Sequence, residues 1–257
     1  MRVHIVPILF DNYAYVLVDE ASGEAAVVDP AEPEPVLRTL AELGVKLTTV
    51  LCTHHHADHS GGNVALAQAF AGVRVVGSEV DGARIPALSH PVKHEDTLCV
   101  GTSVVRVLYV PCHTRGHVAY FCDGDLFCGD TLFVAGCGRF FEGTAADMDR
   151  ALNEVLGGLA PETRIYCGHE YTLDNLAFAQ TVEPENKALQ EKLAWARDRR
   201  AKQLPTVPST LGEERTYNPF LRVREETVAA AMQERAPEKV MAKLREAKNR
   251  FKAPATT

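Results

Sequence analysis

The run Thr53-His54-His55-His56-Ala57-Asp58-His59 places four candidate metal ligands, His54, His56, Asp58 and His59, in the six positions of an H-x-H-x-D-H pattern. It follows Val50-Leu51-Cys52, which reads as a strand. Side chains alternate in extended backbone, so His54 and His56 fall on one side and His55 on the other. His55 is therefore expected to be structural. Asp58 and His59 lie in the turn beyond, free to point at a second spot nearby. Imidazole and carboxylate donors suit Zn²⁺, Fe or Mn²⁺ rather than a thiolate-seeking ion. With His113, Asp130 and His169 downstream, the two ligand pairs predict two metals sharing one pocket.

The elements that must position these residues follow from periodicity. Strands are expected at 1–9, 12–19, 24–29, 46–52, 73–77, 97–100, 103–110, 117–122, 125–129 and 164–167. Residues 34–44 read as a helix with Val36, Leu37, Leu40 and Leu43 inward, stopped by Gly44. Further helices are expected from Gly61-Gly62 to Phe70, over 146–156, and after His169-Glu170. From about residue 172 the pattern turns helical: Leu189, Leu193 and Ala196 share a face, a Pro-rich loop (Pro205, Pro208, Pro219) follows, then helices at 224–235 and 237–251. On the last helix Val240, Leu244, Ala247 and Phe251 form an apolar stripe, with Arg245, Lys248 and Lys252 on a neighbouring line. The expected organisation is a metal-binding domain over 1–172 and a small all-α domain over 173–257.

At 257 residues and 46% hydrophobic content, the chain can bury a substantial core. No stretch of 18 apolar residues appears, and no signal-peptide pattern precedes the first strand. The seven cysteines are odd in number and form no C-x-x-C pair, and most sit in apolar strand-like runs, consistent with buried free thiols in a reducing compartment. A cytoplasmic protein without a membrane partner is expected. Residues 1–186 carry 11 Lys and Arg against 25 Asp and Glu, whereas residues 187–257 carry 16 against 9. Two dications would offset part of the first imbalance; the second suits an anionic ligand or a solvated helical surface. The net charge of −7 weighs against nucleic acid.

The H-x-H-x-D-H run resembles the signature of the metallo-β-lactamase superfamily. Later segments resemble glyoxalase II, the hydroxyacylglutathione hydrolases: His113-Thr114-Arg115-Gly116-His117, Gly129-Asp130-Thr131-Leu132-Phe133, Gly136-Cys137-Gly138-Arg139 and Cys167-Gly168-His169-Glu170-Tyr171. Pro205-Thr206-Val207-Pro208-Ser209-Thr210, Tyr217-Asn218-Pro219-Phe220 and Phe251-Lys252 extend the likeness to the C-terminal part. The resemblance implies an αββα sandwich with a small C-terminal all-α domain. It implies one metal on His54, His56 and His113, a second on Asp58, His59 and His169, and Asp130 bridging them, with Zn first and Fe or Mn as alternatives. His117 is not a ligand in the family and is read as supporting. Arg139, Phe140, Phe141, Tyr171, Arg245 and Lys248 are implied to form the glutathione site. Many eukaryotic members carry tyrosine where this chain has Phe141, and losing that hydroxyl costs a hydrogen bond worth roughly 0.5–1.5 kcal/mol.

The implied reaction is hydrolysis of S-(2-hydroxyacyl)glutathione thioesters, chiefly S-D-lactoylglutathione, to glutathione and D-lactate, the second step of methylglyoxal detoxification. A metal-bridging hydroxide held by Asp130 and the metals, with Asp58 beside it, would attack the thioester carbonyl. The thiolate, whose parent thiol has a pKa of about 8.5, can leave without a general acid. No protein nucleophile is needed. Cys112 beside His113 invites that reading, but adjacent strand positions diverge and Cys112 is expected to be buried. The alternative is a persulfide dioxygenase of the same superfamily, which would use a single iron and lack the helical tail. A monomer is expected.

Overall fold

The computed structural model describes residues 1–252 of the chain. Two six-stranded sheets face each other. The first runs in sequence order: β1 (Arg2–Ile8), β2 (Asn12–Val18), β3 (Glu24–Val28), β4 (Lys46–Leu51), β5 (Arg74–Ser78) and β6 (His90–Val92). The second contains β7 (Thr97–Val100), β8 (Ser103–Tyr109), β9 (Val118–Cys122), β10 (Asp125–Gly129), β13 (Arg164–Cys167) and β14 (Ser209–Thr210), in the spatial order β14-β13-β10-β9-β8-β7. Between β10 and β13 the chain inserts a small hairpin, β11 (Leu132–Phe133) with β12 (Gly136–Cys137).

The period-two pattern of β2 explains the layering. Tyr13, Tyr15 and Leu17 enter the core between the sheets. Ala14, Val16 and Val18 face the opposite way, onto a second apolar layer that includes Val36 and Leu40 of α1 (Pro33–Leu43) and Leu66 of α3 (Asn63–Ala69). β2 is therefore buried at every position, because helices cover its outer face. On the far side α4 (Ala145–Asp149) continues through a π-helical stretch, Arg150–Val155, and buries Met148 and Leu152. This is the αββα sandwich.

The remaining helices are α2 (Ala57–Ser60), which lies between β4 and α3, then α5 (Thr172–Val182), α6 (Lys187–Ala201), α7 (Leu211–Tyr217), α8 (Glu226–Met232) and α9 (Pro237–Arg250). Phe178, Val182, Val207, Leu211, Phe220, Val228, Val240, Met241 and Leu244 join the same apolar cluster as the inter-sheet core. The helical region is packed on the sandwich, not tethered to it.

The expected strands and long helices form, with ends moved by one to three residues. The short elements β6, β11, β12, β14, α2 and α7 were not anticipated. α7 replaces part of the expected Pro-rich loop, and its signal is visible in the sequence: Thr210 accepts from the Glu213 N–H while Glu213 reaches back to the Thr210 N–H, a capping box. α9 ends at Arg250, so Lys252 falls outside the helical stripe.

Candidate metal centre

The candidate ligands sit at strand ends, in one short helical turn and in one loop. His54 and His56 follow β4, Asp58 and His59 occupy the single turn of α2, Asp130 follows β10, and His169 follows β13. His113 lies in the loop between β8 and β9. Parallel pairing of β10 with β13 brings Gly129 opposite Cys167 and so sets Asp130 and His169 side by side. A side chain at Gly168 would run into the Asp130 carboxylate and the His59 ring, so the chain can pass here only as glycine.

The ligand atoms converge in two groups. His56 Nδ1 lies 3.1 Å from both His54 Nε2 and His113 Nε2. Asp58 Oδ2 lies 3.8 Å from His59 Nε2 and 3.5 Å from His169 Nε2. Asp130 stands between the groups: Oδ1 is 3.3 Å from His59 Nε2, and Oδ2 is 3.4 Å from both His113 Nε2 and His169 Nε2. Donors at 2.0–2.1 Å around a tetrahedral cation are themselves about 3.3 Å apart, so the spacing fits a metal. Among the described residues, His59 Nε2 and Asp130 Oδ1 are buried with no hydrogen-bond partner, which is expensive unless a cation completes them. The donor set fits divalent metal ions.

The other nitrogen of most rings is tethered, which fixes tautomer and aim. His54 Nδ1 meets Thr53 Oγ1 at 3.0 Å, His59 Nδ1 meets Asp29 Oδ2 at 2.9 Å, His113 Nδ1 meets the Arg139 carbonyl at 3.1 Å and His169 Nδ1 meets Asp11 Oδ1 at 2.9 Å. Asp29 also accepts from the Thr53 N–H and hydroxyl, locking the start of the ligand loop to the end of β3. His117 accepts from the Asp130 N–H at 3.1 Å and touches no ligand group through its ring nitrogens. His55 pairs with Asp81 at 3.0 Å, away from the centre. Sequence reasoning missed Asp11, Asp29, Asp81 and Asn12, whose Nδ2 donates to the Asp58 carbonyl at 2.9 Å. Only Asp11 and Asn12 carried a signal, by opening a turn beside a strand; Asp29 sits at positive φ, 48°, which nothing in the sequence announces.

Burial, with neighbouring histidines adding to it, holds His54 well below the ordinary histidine pKa. Burial also lowers His113, to about 4, against the pull of Asp130. Both rings are neutral at pH 7, the form that binds metal. His59 goes the other way: burial opposes its charge, but Asp130 and Asp29 overcome that and raise it. Cys112 is buried, its thiol bonded to the Thr144 carbonyl and pushed up by burial, so it is no nucleophile.

The centre forms the floor of a cleft of about 510 Å³. Tyr171 stacks on His169 at 4.6 Å between ring centroids, and Phe141, 60% exposed, sits 5.1 Å from His113. Arg139, Arg245 and Lys248 also line it. Phe140 departs from expectation. Adjacent residues of an extended segment diverge, so Phe141 lines the cleft while Phe140 packs inward on the core. Arg245 lines the cleft from a buried position, donating from Nη1 to the Cys137 carbonyl at 2.8 Å and from Nε to Asn249 at 2.9 Å. Lys248 donates to the Asp174 carbonyl at 2.8 Å, and burial beside Arg245 lowers its pKa to about 8.

A two-sheet sandwich with helices outside and a His/Asp centre at the strand ends is the arrangement of the metallo-β-lactamase superfamily, and residues 8–169 match that family. Residues 170–251 match the family described as hydroxyacylglutathione hydrolase C-terminus. The chain is 48% identical over 261 residues to a hydroxyacylglutathione hydrolase-like protein of Gallus gallus, covering 99% of this chain and 92% of that one. It is 44% identical to the cytoplasmic hydroxyacylglutathione hydrolase of Arabidopsis thaliana, over 98% of this chain and all of the relative. Among solved structures, ETHE1 from Myxococcus xanthus aligns at a TM-score of 0.69 and 27% identity, covering 99% of this chain and 93% of that one. The chain belongs to the hydroxyacylglutathione hydrolase family, glyoxalase II, and is a metal-dependent hydrolase.

Proposed function

We propose that this chain hydrolyses S-(2-hydroxyacyl)glutathione thioesters, chiefly S-D-lactoylglutathione, to glutathione and D-lactate. The observation that carries the reading is the meeting of two ligand groups around Asp130 at the floor of a cleft walled by cations. Full-length identity of 44–48% to relatives of that name supports it over the dioxygenase alternative.

In this reading His54, His56 and His113 would hold one ion and Asp58, His59 and His169 another, with Asp130 placed between the two groups to serve both. Zn is the first choice and Fe or Mn the alternatives, since the donors accept all three. Divalent cations bound there supply Lewis acidity and water that ionises near neutral pH. Asp58, whose side chain is 45% exposed, faces the cleft and can accept a proton from incoming water on the carboxylate oxygen that the ion leaves free. Arg139 and Lys248 attract the glutathione carboxylates, and Arg245 adds charge from within the wall. Tyr171 and Phe141 flank the ion-binding floor and form apolar walls for the thioester. Its thiolate leaves unprotonated, so no side chain need donate to it.

Residues 1–172 form the catalytic domain and 173–257 the substrate-binding one in this proposal, the chain acting as a cytoplasmic monomer on a small molecule, without nucleic acid or membrane. One relative is named cytoplasmic, which supports the location. The test is thiol release from S-D-lactoylglutathione by the purified chain. Chelation should abolish it and added Zn²⁺ restore it. Oxygen consumption with glutathione persulfide and no thiol release would overturn the reading.

A further inference from the structure

The β11–β12 hairpin begins two residues after Asp130 and leads into Arg139, whose carbonyl accepts from His113 Nδ1. Each strand has two residues, far too few for a hairpin to stand by itself in water. Its turn holds Ala135 at a φ of 56°, a left-handed conformation that is unfavourable for a residue with a Cβ. Something outside the hairpin must hold it.

The helical region does so at five consecutive residues. Asn218 Nδ2 donates to the Phe133 carbonyl at 3.2 Å and to the Gly136 carbonyl at 3.1 Å. Asn175 donates to the Val134 carbonyl at 3.1 Å. Glu214 accepts from the Ala135 N–H at 2.8 Å, and Arg245 donates to the Cys137 carbonyl at 2.8 Å. Glu214 and Asn218 are fully buried and bond each other at 3.0 Å. The constraint then passes to the metal ligands by contact. Gly138 N–H donates to the Thr131 carbonyl, and a side chain at Gly138 would strike the Asp130 carbonyl oxygen.

We propose that Asn218 and Glu214, with Arg245, are positioning residues for the metal centre: from the helical region they fix the hairpin, and the hairpin fixes the ring of His113 and the carboxylate of Asp130. The helical region thus has a role in metal retention that is separate from any contact with substrate. The proposal rests on the ligand assignment above but not on which thioester is hydrolysed, so a failed lactoylglutathione assay would leave it standing.

The test is Zn²⁺ affinity of the full chain by chelator competition, alongside Tm. Asn218→Ala and Glu214→Ala should weaken Zn²⁺ binding about tenfold or more, as loss of supporting contacts to ligands does. Glu214→Gln, which keeps an oxygen for the Ala135 N–H, should bind like the parent. Val228→Ala removes buried volume from α8 without touching the hairpin's hydrogen bonds, so it should lower Tm and leave Zn²⁺ affinity unchanged. If Asn218→Ala does not fold, Asn218→Ser, whose single hydroxyl proton can reach only one of the two carbonyls, takes its place. The proposal is overturned if the Asn218 and Glu214→Ala variants hold Zn²⁺ as tightly as the parent, or if Val228→Ala loses as much affinity as they do.

Discussion

Around Asp130, ring nitrogens are tethered by residues at strand ends, through Asp11, Thr53, Asp29 and the Arg139 carbonyl. On the facing wall, Arg245 and Lys248 are tethered by main-chain carbonyls of Cys137 and Asp174. The first arrangement aims ring nitrogens at a fixed point. The second holds charges near a surface while leaving them incompletely neutralised. Metal chemistry needs geometry, and attraction of an anionic substrate needs mostly charge. The two regions should therefore fail differently when altered.

The largest effect should come from the carboxylate shared by both ligand groups. Asp130→Ala should lower kcat/KM by on the order of 10³-fold or more and release at least one metal equivalent, read by steady-state kinetics and elemental analysis. Unchanged metal content with full activity would remove Asp130 from the centre. A smaller effect is expected one contact further out. Asp11→Ala should free the His169 ring and weaken metal binding about 10- to 100-fold, measured by chelator competition.

The facing wall should respond in KM. Lys248→Ala should raise KM for the glutathione thioester about tenfold, worth about 1.4 kcal/mol, with kcat and metal content nearly unchanged. A small thioester without glutathione carboxylates should show no such penalty. If it shows the same one, Lys248 is not recognising carboxylates. Arg245→Ala should combine both behaviours, because the same guanidinium lines the cleft and holds Cys137.

The mildest test is pH. With its pKa lowered to about 8 by burial and Arg245, Lys248 loses its proton as pH passes from 7 to 9. KM for an anionic substrate should rise over that range, and Lys248→Arg should flatten the rise. Stability runs the other way. The unfolded lysine, at about 10.4, binds more protons than the folded one between pH 8 and 10.4, so this group's contribution favours the folded state increasingly as pH climbs through that window. A pH-independent KM in the parent would show that the Lys248 charge does not matter to binding.

The ligand run His54 to His59 was legible because its donors lie within six positions, so local backbone geometry already gathers them. His113, Asp130 and His169 became legible through family likeness, not spacing. Strands such as β2 and helices such as α1 were readable from period and from Gly44 at a C-cap of φ 64°. The hairpin β11–β12 was not, because two-residue strands carry no period. The tethers were invisible for a related reason: Asp11 and His169 are 158 residues apart, and Asn218 and Phe133 are 85 apart. Arg245 was read as a cation on a helix stripe, whereas packing against the sandwich buried it and gave it a carbonyl to hold.

The sequence by itself determined the donor types, the strand and helix periods and the switch to a basic helical tail. These depend on side-chain chemistry and on neighbours a few residues away. Tertiary structure decided which nitrogen of each histidine faces the centre, that Phe141 and not Phe140 lines the cleft, and that the helical region supports the hairpin beside Asp130. Each of those depends on hydrogen bonds and contacts between segments that meet only when the parallel pairing of β10 with β13 and the packing of α9 are complete.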